Sequence, residues 1–117
     1  MSVLTERWHG DVAVLELSGP FTYEAGARLT AWVGNAPRAK VLLNLAGVSY
    51  LDSAGLGSLI AAYRVTSRQG GVLKLLEPTP RVRHLFHITG LLRFFETFES
   101  EPAAVASFGV TEAVPVS

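Results

Sequence analysis

Few residues in this chain could carry chemistry, and their spacing removes most options. Asp11 and Asp52 are the only aspartates, and Asp11 sits in a Gly10-Asp11 turn signal. The glutamates are scattered over polar stretches, so no carboxylate pair suggests general acid–base work. His84 and His87 stand three apart, a spacing that can place two imidazoles on one helix face as metal ligands. No third ligand follows from spacing. Two partly exposed helix histidines are the simpler reading, and no metal site is expected. The absence of cysteine excludes a disulfide framework, thiolate metal centres and a thiol nucleophile. Leu51-Asp52-Ser53-Ala54-Gly55 lacks the glycine that a nucleophile elbow carries ahead of its serine. Gly55-Leu56-Gly57 lacks the third glycine of a dinucleotide fingerprint and falls inside a predicted helix. No catalytic set emerges, and no cofactor is called for.

What remains is the segment from Gly47 to Leu59, which follows an apolar run and opens a helix. A capped helix start, with Asp52 or Ser53 as the cap, accounts for Asp52, Gly55 and Leu59. It leaves unexplained why a hydroxyl, two glycines and so few bulky groups gather at one strand–helix junction. Ligands and partners favour helix N-termini at the ends of sheet strands, which makes this the candidate functional surface.

The elements that must position this junction are legible along the chain. Thr5 to His9 reads as a strand, Gly10-Asp11 as a hairpin turn, and Val12 to Leu17 as a second strand, antiparallel to the first. Ser18-Gly19-Pro20 reads as a break. Thr22 caps a helix with Glu24 in its first turn and a stripe of Leu29, Trp32 and Val33, ended by Gly34-Asn35 and Pro37. Val41 to Leu45 is an apolar run that suits a central strand covered on both faces. The next helix is predicted from Ser53 to Gln69, with Leu56, Leu59, Ile60, Tyr63 and Ser67 on its core face. Gly70-Gly71 closes it, and Val72 to Leu76 forms the next strand of a right-handed βαβ unit. Thr79 and Pro80 open a helix carrying Val82, Leu85, Phe86 and Thr89, stopped by Gly90. Phe94 to Phe98 reads as a last strand. Ser100 caps a terminal helix to about Phe108, with Glu101 and Pro102 in its first turn. The stretch 109–117 is expected to be a flexible tail.

The predicted order is therefore β β α β α β α β α. It implies one α/β domain over residues 1–108, a four- to five-stranded mixed sheet with about four helices packed on it. With 117 residues, 49% of them hydrophobic, the chain can bury a real core. Ten basic residues balance ten acidic ones, which offers none of the basic surface that nucleic-acid binding needs. No apolar run approaches a membrane span, and Met1 to Arg7 has no signal layout. With no cysteine, the expected compartment is the cytoplasm.

The motif Asp52-Ser53-Ala54-Gly55-Leu56-Gly57 resembles the phosphorylation-site motif of the STAS domain family, in particular the bacterial anti-sigma factor antagonists. Leu43 to Val48 resembles the central strand and loop of that family, and Gly71 to Leu75 its next strand. Pro80 to Leu91, with its Thr89-Gly90-Leu91 ending, resembles the following helix and loop. The likeness covers about residues 5 to 108 in the same element order. It implies a non-enzymatic binding protein with Ser53 as phosphoacceptor. The implied partner-binding surface comprises Asp52, Ser53, Ala54, Gly55, Leu56, Gly57 and Ser58, with Thr22 and Asn44 close by. At Thr22 and Asn44 this chain departs from the family, which often carries aspartate at both positions.

The implied partners are an anti-sigma factor that is itself the serine kinase, and a phosphoserine phosphatase. The unphosphorylated antagonist binds the anti-sigma factor and frees sigma; the phosphorylated form lets go. One alternative is a constitutive STAS subunit docked on another complex, for example the ATPase of a lipid transporter, without phosphorylation. The other is a small-molecule sensor or enzyme, for which the sequence supplies no convergent charged group.

Overall fold

The computed structural model describes residues 2–109. The stretch expected to be a tail lies outside them, apart from Gly109. Strands β1 (Val3–His9) and β2 (Val12–Phe21) form the antiparallel hairpin. Helix α1 (Tyr23–Gly34) leads to β3 (Lys40–Leu51), and α2 (Ser53–Arg68) to β4 (Val72–Leu76). Helix α3 (Pro80–Thr89), a 3-10 turn (Leu91–Arg93), β5 (Thr97–Phe98) and α4 (Glu101–Ala106) follow within the described residues. The sheet order is β1-β2-β3-β4-β5, parallel everywhere except the first pair.

Side-chain alternation divides the molecule. Leu15, Leu17, Val41, Leu43, Leu45 and Leu75 point to one face and meet α1, α2 and α3 through Leu29, Leu59 and Phe86. Val12, Val14, Leu42 and Leu76 point to the other and meet α4 and the turn after it through Ala104, Val105 and Phe108. A near-continuous apolar run in β3 is what this two-sided cover demands. Polar clasps hold the short α4. Arg7 pairs with Glu101 at 2.6 Å and with Glu16 at 2.9 Å. Buried Lys74 donates to the Ser107 carbonyl at 3.0 Å and lies 4.7 Å from the Phe108 ring centroid. Among the described residues no helix is long and apolar enough to cross a membrane.

Four local expectations are corrected. Strand β2 runs through Ser18-Gly19-Pro20, because β3 extends to Leu51 and pairs with it as far as Phe21↔Leu51, with register shifts on the way. Pairing with β1 ends at Val3↔Ser18, so proline at position 20 interrupts no second ladder. The core face of α2 is Gly55, Leu59, Ala62 and Thr66; Ile60 and Tyr63 are half-buried and Ser67 is exposed. On α3, Val82 and Phe86 are buried and Thr89 is exposed. The strand expected over Phe94–Phe98 shrinks to Thr97–Phe98, because Phe95 turns inward and stacks on Phe86 with ring centroids 5.7 Å apart.

Candidate functional site

Strand β3 hands over directly to α2, and Asp52 is the hinge residue. Its backbone is extended, with φ −96° and ψ 178°, so it stands just outside the helix as the N-cap. Its Oδ1 accepts the Gly55 N–H at 2.7 Å, and its carbonyl accepts the Leu56 N–H at 2.8 Å. The carboxylate is thereby committed to the helix start, where negative charge is favoured by the macrodipole.

Ser53 and Ala54 follow as the first two helical residues, and both are exposed. Their backbone N–H groups belong to the first turn, which has no carbonyl partners inside the helix. The Ser53 hydroxyl thus stands at the positive end of α2, facing solvent, beside the Asp52 carboxylate. Gly57 is exposed too, with open space where a side chain would project. Together Ser53, Ala54 and Gly57 make a low, small-residue surface that a partner could approach closely.

The other motif residues face inward. Gly55 is buried: a Cβ there would lie 1.9 Å from the Phe21 carbonyl oxygen. A side chain at Gly55 would therefore run into the end of β2 rather than project towards a partner. Ser58 is half-buried against α1, where a Cβ on Gly26 would lie 2.0 Å from the Ser58 Cβ. Leu56 is half-buried and packs against the core.

The two outlying residues differ. Thr22 caps α1 immediately after the Phe21↔Leu51 pair, which brings it to the same end of the sheet as Asp52. Its side chain makes no capping bond. Asn44 is not brought beside Ser53. It pairs with Glu16 on β2, and its neighbours Leu43 and Leu45 take the face under α1 and α2. Its Oδ1 accepts the Ala46 N–H at 2.9 Å where the β2–β3 register shifts. Asn44 shapes the strand rather than the motif surface.

Sequence reasoning did not single out two exposed aromatic residues at the strand–helix junctions. Tyr23, at the start of α1, is 67% exposed, and Tyr50, near the end of β3, is 47% exposed. Each lies within two residues of a strand–helix junction, and that position was the available signal. Rings at such sites offer contact area at low entropic cost. The histidine pair on α3 is exposed; His84 lines a shallow groove with Tyr50 and Ile88, away from any acidic cluster. Among the described residues no group of three His, Cys, Asp or Glu is arranged to hold a metal.

A family model matches most of the chain: the STAS domain model covers residues 5–104. The chain belongs to the STAS domain family. An anti-sigma F factor antagonist of Paenibacillus polymyxa is 23% identical over 87% of this chain and 91% of its own length. An anti-sigma-B factor antagonist of Bacillus subtilis is 43% identical over 45% of this chain and 49% of its own length. Among solved structures, the anti-sigma factor antagonist SpoIIAA in its unphosphorylated form has a TM-score of 0.73 at 23% identity, covering 93% of this chain and 99% of that one. The phosphorylated form of Bacillus SpoIIAA has a TM-score of 0.69 at 21% identity, with coverage of 91% and 99%. At these identities the structures speak for the fold.

Proposed function

We propose that this STAS protein is an anti-sigma factor antagonist that docks on its partner through the start of α2 and is switched off by phosphorylation of Ser53. The observation that carries the reading is the exposed Ser53 hydroxyl at the first position of α2, next to a carboxylate already engaged as the cap. The names of the relatives point to the same class.

The physics suits a switch that changes binding without unfolding. A phosphoryl group brings about −1.5 to −2 charges and three acceptor oxygens. At the helix start those oxygens can meet the free N–H groups of the first turn, so the fold tolerates the group. At a docked surface the same charge must lose water, and Asp52 beside it adds repulsion. Burying such an unpaired charge costs several kcal/mol, about two to three orders of magnitude in affinity. In this reading the kinase is the anti-sigma factor, a phosphatase restores binding, and the protein acts in the cytoplasm.

The test is incubation with the cognate anti-sigma kinase and ATP, followed by mass spectrometry and calorimetric titration of both forms. Phosphate on Ser53 and loss of affinity on modification are expected. Phosphate on Ser49 or Ser58 would overturn the site. Tight binding with no modification would favour a constitutive docking subunit.

A further inference from the structure

Helix α2 carries a second apolar row that the fold leaves partly open. The core takes Gly55, Leu59, Ala62 and Thr66, while Ile60 and Tyr63 lie to one side. Opposite them runs the segment after α3, and between the two is a cavity of about 290 Å³ lined by Ile60, Tyr63, Arg64, Leu91, Phe94 and Phe95. Its floor is well braced: Phe95 is buried, meets Tyr63 edge-on at 5.1 Å and stacks on Phe86 at 5.7 Å. Phe94, at the mouth, is 59% exposed. A large ring left in water is a surface that gains from being covered. Arg64 is exposed at the rim, and its side chain has no hydrogen-bond or ion-pair partner among the described residues.

We infer that this slot binds a small amphiphilic carboxylate, with an alkyl chain between the rings and the carboxylate on the Arg64 guanidinium. An apolar hollow with one polar group to fix orientation is the usual make-up of a small-ligand site, and its volume is at the low end of the roughly 300–1,000 Å³ such sites occupy. The planar fork of arginine matches a carboxylate in bidentate geometry. A folded protein partner needs about 800 Å² on each side, far more than a hollow framed by six residues offers. Arg64 lies about 16 Å along the helix axis from Ser53, at 1.5 Å per residue, so the inference is independent of the switch.

The test is titration of the full chain with decanoate and, separately, with decanol, read by methyl NMR and calorimetry. Decanoate should shift the Ile60 and Leu91 methyls saturably. Arg64→Gln should weaken decanoate about tenfold and leave decanol unchanged. Phe94→Ala should weaken both. Both residues are exposed, so melting temperatures near wild type should accompany these losses. The inference is overturned if the Ile60 and Leu91 methyls do not saturate, or if decanoate binds Arg64→Gln as tightly as wild type. It is also overturned if the two substitutions instead weaken capture of a protein partner while decanoate does not bind.

Discussion

Two glycines set how closely the motif helix approaches its neighbours. Gly55 leaves room for the Phe21 carbonyl, and Gly26 leaves room for Ser58. A methyl group at Gly55 would meet backbone, which cannot swing aside. Gly55→Ala should therefore destabilise by about 2 kcal/mol, even though alanine is the better helix former. Chemical denaturation measures this; a stability equal to wild type would mean that α2 can slide away from β2. The inward position of Ser58 bears on the phosphosite as well. Ser58→Ala should leave phosphate incorporation unchanged, whereas Ser53→Ala should abolish it, as read by radiolabelling with the cognate kinase.

Among the elements, α2 depends on its cap and α4 on an ion pair. Asp52→Ala removes the acceptor for the Gly55 N–H and should cost about 1 kcal/mol, while Asp52→Asn should keep stability within a few tenths. Thermal unfolding of the two variants separates the hydrogen bond from the charge. On the other face, the Arg7 guanidinium donates to Glu101 at 2.6 Å and 2.8 Å and holds its carboxyl below the ordinary 4.5. A carboxyl depressed in the folded state contributes stability above its unfolded pKa and loses it as pH falls through the folded value. Attachment of α4 should therefore weaken below about pH 4.5, and Glu101→Gln should flatten that dependence. Amide exchange across residues 103–107 as a function of pH is the measurement; protection that does not change with acid would assign the attachment to Lys74 and the apolar contacts.

At the scale of the molecule, the motif sits at the end of a sheet braced on both faces. A charge added at Ser53 therefore finds a surface that is already built. Ser53→Asp and the phosphoserine protein should both keep the near-UV circular dichroism of the unmodified chain, because acid at a helix start is favoured. Both should bind the anti-sigma partner more weakly than Ser53→Ala, with phosphoserine the weaker because aspartate carries about half its charge. Calorimetric titration decides. A phosphoprotein that binds more tightly would make the modification a recruiting signal. An unfolded phosphoprotein would mean that the group collides with β3.

Patterns of local origin were legible in the sequence alone. The order of elements follows from hydrophobic period and turn chemistry. The caps at Thr79 and Ser100 follow from side chains that bond N–H groups three residues away, as does that of α2, where the sequence offered Asp52 or Ser53 and the fold uses Asp52. The place of Ser53 at a helix start follows from the same local rules. Features set by contacts distant in sequence were not legible. Periodicity in α2 cannot distinguish Leu56, Ile60 and Tyr63 from Leu59, Ala62 and Thr66, because both rows repeat at helical spacing. The sheet chose the row of smaller residues, since α1 and the end of β2 press close enough to require Gly55 and accept Ala62. Likewise Ser18-Gly19-Pro20 has the composition of a break and became strand only because β3 lies alongside it. Strand pairing and close helix approach join residues far apart in the chain, and only tertiary structure decides which residues of a local pattern turn inward.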